Sequence, residues 1–194
     1  LLFYALVVLV GLGLMFCFYM LILFLITKNN PFLFVKQISP AQLLAFSTSS
    51  SAATLPVTMN CIEQRVGVDR EVSSFVLPVG ATINMDGTSL YQAVAAIFIA
   101  QALNFDLTFS DQLMIVFTAL LASIGSAAVP GAGMVMLVIV LESIGFPADK
   151  LGIGLALIFA VDRPLDMCRT VINVTGDATV STVIAKLEGK LKVK

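Results

Sequence analysis

Histidine is absent from all 194 residues of this chain. That excludes a histidine-based hydrolytic triad, a histidine-ligated metal centre and an imidazole proton relay. Charge is scarce as well: 12% of residues are charged against 59% hydrophobic, with a mean hydropathy of +1.02. A soluble domain of this size does not carry that balance, so the composition is that of an integral membrane protein. The three cysteines (Cys17, Cys61, Cys168) match neither a CxxC pair nor a metal-ligand spacing and read as small apolar fillers. The net charge of −1 is uninformative in itself, and no nucleic-acid partner is expected. The chain starts at Leu1 inside an apolar run, with no basic flank or A-x-A cleavage site. It is therefore expected to be the C-terminal part of a longer protein rather than one trimmed of a signal peptide.

Long uncharged runs set the organisation. Residues 1–28 read as a transmembrane helix of about 40 Å, enough to span with tilt. Residues 33–68 do not read as a simple span. Pro40 and Pro56 interrupt them, the centre is the polar run Ser47-Thr48-Ser49-Ser50-Ser51, and each limb of roughly 18 Å is too short to cross. A re-entrant helical hairpin with an irregular tip fits, because irregular backbone at that depth must be covered by protein or line a watery cavity. Residues 70–105 form a spanning helix expected to unwind at Asn84-Met85-Asp86-Gly87-Thr88, Gly87 permitting the break. Residues 110–148 resemble the first hairpin, with Gly125, Pro130, Gly131 and Gly133 at their centre. Residues 150–187 form the last helix, and 188–194 a basic tail.

The last helix carries the strongest signal. Asp162, Asp166, Arg169, Asn173 and Asp177 recur at helical spacing. At about 100° per residue they fall in one sector roughly 80° wide. Ionisable groups inside a bilayer cost several kcal/mol unless partnered, so such a file reads as one wall of an intramembrane polar site. An ion pair between Asp166 and Arg169 that merely knits helices is the plainer alternative.

Two independent patterns agree on topology. Hairpin followed by broken or polar helix occurs twice, and the tips share a fragment, Ser51-Ala-Ala-Thr-Leu-Pro56 against Ser126-Ala-Ala-Val-Pro130. Paired Gly/Pro-interrupted short segments point to a secondary transporter built from inverted repeats. Lys28, Lys36, Arg65, Arg70, Lys186, Lys190, Lys192 and Lys194 all fall on one side of that topology, while the other side offers Asp106, Asp111, Asp149 and Lys150. The tail and first hairpin are thus expected to be cytoplasmic and the second hairpin outward-facing. The fold class expected is an all-α integral membrane domain: an inverted-repeat transport domain with two re-entrant helical hairpins and an unwound transmembrane helix.

Four motifs in register carry a family resemblance: SSSAATLP (49–56), NMDGT (84–88), ASIGSAAVPGAG (122–133) and DxxxDMxRTxxNVTGD (162–177). The chain resembles the glutamate/aspartate transporter family, the dicarboxylate/amino acid:cation symporters, over essentially its whole length. The resemblance implies a multi-pass cell-membrane symporter that takes up an acidic amino acid with sodium, moves by an elevator mechanism and assembles as a homotrimer through scaffold helices outside this chain. It implies no enzyme activity and no organic cofactor. For the substrate it implies Arg169 at the side-chain carboxylate, Asp166 and Thr170 at the ammonium, Asn173 at the α-carboxylate, Thr88 at the side-chain end, and Ser50 and Ser51 as donors from the first tip. For sodium it implies one site from Gly80, Asn84, Asn173 and Asp177, a second from Thr82, Ser123, Ile124 and Ser126, and a third using Asn84 and Asp86 with further ligands on a helix upstream. Both tips, rich in small residues such as Ala127, Ala128 and Gly131, are candidate gates.

Departures from the family pattern matter. Ser49 and Met167 stand where archaeal and animal members respectively carry an arginine, with Arg163 a possible electrostatic substitute. Gln92 stands where potassium-countertransporting members have a glutamate, so no potassium coupling is expected. Within transport, the alternatives are a C4-dicarboxylate or proton-coupled glutamate symporter and a neutral amino acid carrier. Asp166 speaks against the first, since a substrate without an ammonium has no use for it; Arg169 speaks against the last. An intramembrane serine or aspartyl protease is disfavoured by the missing histidine, by the lack of a mid-membrane lysine, and by Arg169 and asparagines suited to ligand coordination.

Overall fold

The computed structural model describes residues 1–192, so Val193 and Lys194 of the expected tail lie outside the described residues. Among the described residues the chain is helical throughout, apart from one isolated bridge between Val68 and Leu191. Eight α-helices follow in order: α1 (Leu2–Thr27), α2 (Pro31–Thr48), α3 (Ser51–Asn60), α4 (Arg70–Ile83), α5 (Asp86–Ala102), α6 (Phe109–Ile124), α7 (Ala132–Ser143) and α8 (Ala148–Leu187). A π-helical turn, Cys61–Val66, extends α3 and stops at Gly67, whose φ of 95° suits glycine.

Local chemistry sets several of these ends. Asn30 caps α2 by accepting from the Phe32 N–H at 2.9 Å, with Pro31 in the first turn where its missing N–H costs nothing. Thr108 and Asp111 form a reciprocal capping box on α6, and the bonds from Thr108 hold the Asp111 carboxyl below the usual carboxylate range. The tail is tied back: the Asp69 N–H donates to the Lys190 carbonyl at 3.0 Å, and the Lys192 N–H to the Gly67 carbonyl at 2.9 Å.

Two expectations need correction. Pro40 and Pro56 do not interrupt their segments; both sit inside helices, α2 and α3. At Pro40 the carbonyl left without its helical N–H, Lys36, accepts from the Ser39 hydroxyl at 2.9 Å instead. The break between α4 and α5 is also shorter than NMDGT. Only Asn84 and Met85 leave the helix, while Asp86, Gly87 and Thr88 already form the first turn of α5. Gly87 is there for close approach rather than unwinding.

The packing departs from that of a soluble protein on the outside and at one buried file. Phe3, Phe32, Leu43, Phe75, Phe109, Val135 and Phe159 are exposed, while Asp162, Asp166, Arg169, Asn173 and Asp177 are buried. A largely apolar exterior, with a file of charged groups buried among the apolar core, is the arrangement of a membrane protein. Among the described residues, α1 is the one helix long and apolar enough to cross a bilayer by itself. α8 is the hub, packed against α1, α2, α4 and α5. The α2–α3 and α6–α7 pairs are helical hairpins whose tips, at Ser49–Ser50 and at residues 125–131, meet beside α8.

Candidate functional site

Arg169, on α8, is the largest side chain buried almost completely, at 2% exposure. A guanidinium cannot shed its charge, so burial demands partners. Its Nε donates to Asp166 Oδ1 at 2.9 Å, and Nη1 lies 3.7 Å from Asp162 Oδ1. Its plane covers the Tyr91 ring at 4.0 Å, and the Tyr91 hydroxyl donates to Asp162 Oδ1 at 2.5 Å. The ion pair between Asp166 and Arg169 therefore exists. It does not exhaust the arginine, because Nη1 has no hydrogen-bond partner.

That unspent donor is one of three around a single cavity. Ser49 Oγ and Ser126 Oγ, one on each hairpin tip, are also buried without a hydrogen-bond partner. All three residues line a single cavity, together with Ser51, Thr88, Asp166, Thr170 and Asn173. Buried polar atoms without partners are rare in native structures, and three converging on one void mark a place where a polar ligand is awaited. The void holds only about 20 Å³, room for roughly one water.

The tips close that cavity by contacting each other and α8. The Ser50 hydroxyl accepts from the Ala53 N–H, capping α3, and donates to the Ala128 carbonyl at 2.6 Å. The Gly131 N–H donates to Asp166 Oδ2 at 2.9 Å. Gly133 lets α7 pass over the arginine: a Cβ there would stand 2.8 Å from the guanidinium carbon.

Beneath the cavity, α5 is clamped onto α8. The Gly87 N–H donates to Asn173 Oδ1 at 2.8 Å, and Asn173 Nδ2 donates to Thr88 Oγ1 at 3.1 Å. Thr170 Oγ1 donates to the Asp166 carbonyl at 2.8 Å. Thr88, Asp166, Arg169, Thr170, Asn173 and Ser51 are thus brought together on one cavity; Ser50 stands at its rim.

The residues expected to hold cations fall into two groups. Asn84 Nδ2 donates to Asp177 Oδ1 at 2.9 Å, and a Cβ on Gly80 would lie 2.6 Å from that same oxygen. Asp86 Oδ2 accepts from the Tyr19 hydroxyl of α1. Gly80, Asn84, Asp86 and Asp177 therefore share the space between the helix break and α8. The second group is not gathered in this way. Thr82 and Ile124 are exposed, the Thr82 hydroxyl donates to the Val79 carbonyl at 3.0 Å and the Ser123 hydroxyl to the Leu120 carbonyl at 2.8 Å. Ser126 lies at the second tip, on the cavity.

Sequence reasoning passed over several residues of this site. Tyr91 lies three positions after Thr88 and so shares its helical face, a signal that was available. Asp162 belonged to the polar file but had no role; it accepts from Tyr91 and faces Arg169. Tyr19 had no signal in spacing, and Ser49 was marked in the first tip's polar run but given no ligand role. Arg163, 56% exposed and 3.9 Å from Asp166, stays at the periphery.

Comparison with known proteins gives the family of this chain. A family model described as the sodium:dicarboxylate symporter family matches residues 1–187. Excitatory amino acid transporter 5 of Mus musculus is 53% identical over 167 residues, covering 86% of this chain and 29% of the relative. Excitatory amino acid transporter 1 of Rattus norvegicus is 52% identical over 86% of this chain and 30% of its own length. An excitatory amino acid transporter of Caenorhabditis elegans is 52% identical over 84% of this chain and 32% of its own length. The chain thus spans less than a third of the curated relatives it matches.

Proposed function

Because this chain belongs to the sodium:dicarboxylate symporter family, we propose that it forms the substrate-binding part of a sodium-coupled symporter for an acidic amino acid, aspartate or glutamate. The observation that carries this reading is the convergence of Arg169 Nη1, Ser49 Oγ and Ser126 Oγ, all without partners, on one cavity. An arginine fork matches a carboxylate in two parallel bonds, and the serine hydroxyls supply donors for a second carboxylate. Asp166 supplies an acceptor for an ammonium. On this reading Thr170 joins Asp166 at the ammonium, Asn173 takes the α-carboxylate and Thr88 the side-chain end, with Ser50 and Ser51 at the first tip.

The electrostatics support coupling to a cation. Asp162 and Asp166 flank the buried Arg169 guanidinium, while Asp177 and Asp86 lie by the helix break with Asn84 and Tyr19 as their neutral partners, so the region has more carboxylates than buried cationic partners. An acidic amino acid adds one more net negative charge. Cations entering with it relieve the excess, and sodium takes hard oxygen ligands from carboxylates and amides. Gly80, Asn84, Asn173 and Asp177 form one sodium site in this reading. Thr82, Ser123, Ile124 and Ser126 form a second, and Asn84 with Asp86 contributes to a third. The exposed positions of Thr82 and Ile124 require the α6–α7 tip to move before the second site assembles.

Movement of that tip is also demanded by volume. A void with room for about one water cannot hold a dicarboxylic amino acid, whose sites ordinarily enclose several hundred Å³. The α6–α7 tip, held to α8 by the Gly131–Asp166 bond and to the first tip by Ser50, is the gate that opens. The hairpins are re-entrant, related with their following helices by an inverted repeat, and this chain is part of a longer multi-pass homotrimer that works as an elevator. By the positive-inside rule, the basic residues Lys28, Lys36, Arg65, Arg70, Lys186, Lys190 and Lys192 support a cytoplasmic C-terminus.

The test is radiolabelled aspartate uptake into liposomes by the full-length parent, with sodium, potassium and proton gradients imposed separately. Uptake driven by an inward sodium gradient is expected; uptake indifferent to sodium would sink the proposal. The same assay reads Gln92, whose Nε2 donates to the Gly133 carbonyl at 3.1 Å while Oε1 has no partner. With no charge at that position, internal potassium is expected to leave the return step unchanged, and Gln92→Glu to make it potassium-responsive. A potassium requirement in the unsubstituted protein would show the neutral amide is not what decides ion choice.

A further inference from the structure

The α1 helix reads as featureless by composition, yet it sends polar groups into the site, Tyr19 among them. Tyr19 is buried, and its hydroxyl donates to Asp86 Oδ2, the carboxylate beside the break between α4 and α5. The same hydroxyl approaches α8. A Cβ placed on Gly176 would stand 2.6 Å from the Tyr19 oxygen and 2.7 Å from Asn84 Nδ2. Tyr19, Asn84 and Gly176 therefore share one small space, next to Asp177, whose Oδ1 accepts from Asn84.

We propose that Tyr19 is a positioning residue for cation binding: it holds one oxygen of the Asp86 carboxylate so that the other stays turned toward a sodium ion. This rests on the sodium-coupled reading above and adds to it, since the remaining ligands of the Asp86 site were expected from one helix upstream of this chain. The physical case has three parts. A carboxylate at a helix start, free at one side, samples several rotamers, and fixing one of them lowers the cost of meeting a small hard cation. A phenol can donate without adding charge, so it orients Asp86 without competing as a cation. A tyrosine ring also fills the gap left by Gly176, so that orienting contact is itself held by packing between α1 and α8.

The variant is Tyr19→Phe in the full-length parent, which removes the hydroxyl and keeps the ring. The sodium concentration for half-maximal aspartate binding is expected to rise about tenfold, the size of a hydrogen bond to a charged group. Aspartate affinity at saturating sodium is expected to stay within twofold. In an Asp86→Asn background, Tyr19→Phe is expected to change the sodium dependence no further, because the group it orients is already altered. A purely structural role would instead lower thermal stability in both backgrounds and move sodium and substrate affinities together. Sodium-induced thermal shifts without substrate provide a second reading that needs no transport. An unchanged or strengthened sodium dependence in a folded Tyr19→Phe protein would overturn this inference alone. Sodium-independent binding by the unsubstituted protein would overturn the sodium-coupled reading beneath it.

Discussion

Arg169→Cys is expected to weaken aspartate binding by about 30-fold to several thousand-fold, the range for truncating one partner of a buried, hydrogen-bonded charge pair. Two losses combine. The substrate carboxylate loses its planar fork, and Asp162 and Asp166 lose the guanidinium that lies between them. The second loss bears on folding, because a buried charge left unpaired costs several kcal/mol. Arg169→Lys separates the two. It retains a cation near both carboxylates but loses the bidentate geometry, so protein yield should recover further than aspartate affinity does. Titration of purified protein with aspartate and with a neutral amino acid is the measurement. Neutral substrates are expected to gain relative to acidic ones in Arg169→Cys. Aspartate affinity within threefold of the native value in folded Arg169→Cys would remove Arg169 from the substrate site.

Gly87→Ala is expected to cost about 1–3 kcal/mol of stability, as overpacking does, and to weaken sodium-dependent aspartate binding by about 10- to 100-fold. The added Cβ would stand 2.7 Å from the Arg169 carbonyl oxygen and 3.0 Å from Asn173 Oδ1. The first of these is backbone inside α8 and cannot swing aside. α5 must therefore back away from α8, which breaks the bond from the Gly87 N–H to Asn173 and shifts Thr88 from the cavity wall. Gly152→Ala is the control, since a Cβ there meets nothing within 4 Å, and inside α8 it should leave binding unchanged and raise stability by up to about 1 kcal/mol. If the two substitutions behaved alike in thermal unfolding and sodium-dependent binding, close approach at Gly87 would not be what the site needs.

Much of the site was legible because helical periodicity is local. Asp162, Asp166, Arg169, Asn173 and Asp177 share a face through spacing alone, and the finished α8 buries all five. The breaks were legible for a similar reason: Ser, Gly and Pro clusters weaken a helix wherever they occur. Their extents were less so. Pro40 stays helical because Ser39 serves the freed carbonyl, and the start of α5 stays helical because α1 and α8 give Asp86 and Gly87 partners.

By itself the sequence determined that apolar helices surround a polar file, that two helix pairs turn on small residues, and that one guanidinium lies among the carboxylates. These follow from composition and from a period of 3.6 residues, both of which act over a few neighbours. Only the tertiary structure decided which polar groups are spent and which are left over. Tyr19 reaches Asp86 across 67 positions of chain, Gln92 reaches Gly133 across 41, and Ser50 reaches Ala128 across 78. No local preference encodes such contacts. They arise when packing presses separate helices together and every buried donor must find an acceptor or wait for a ligand.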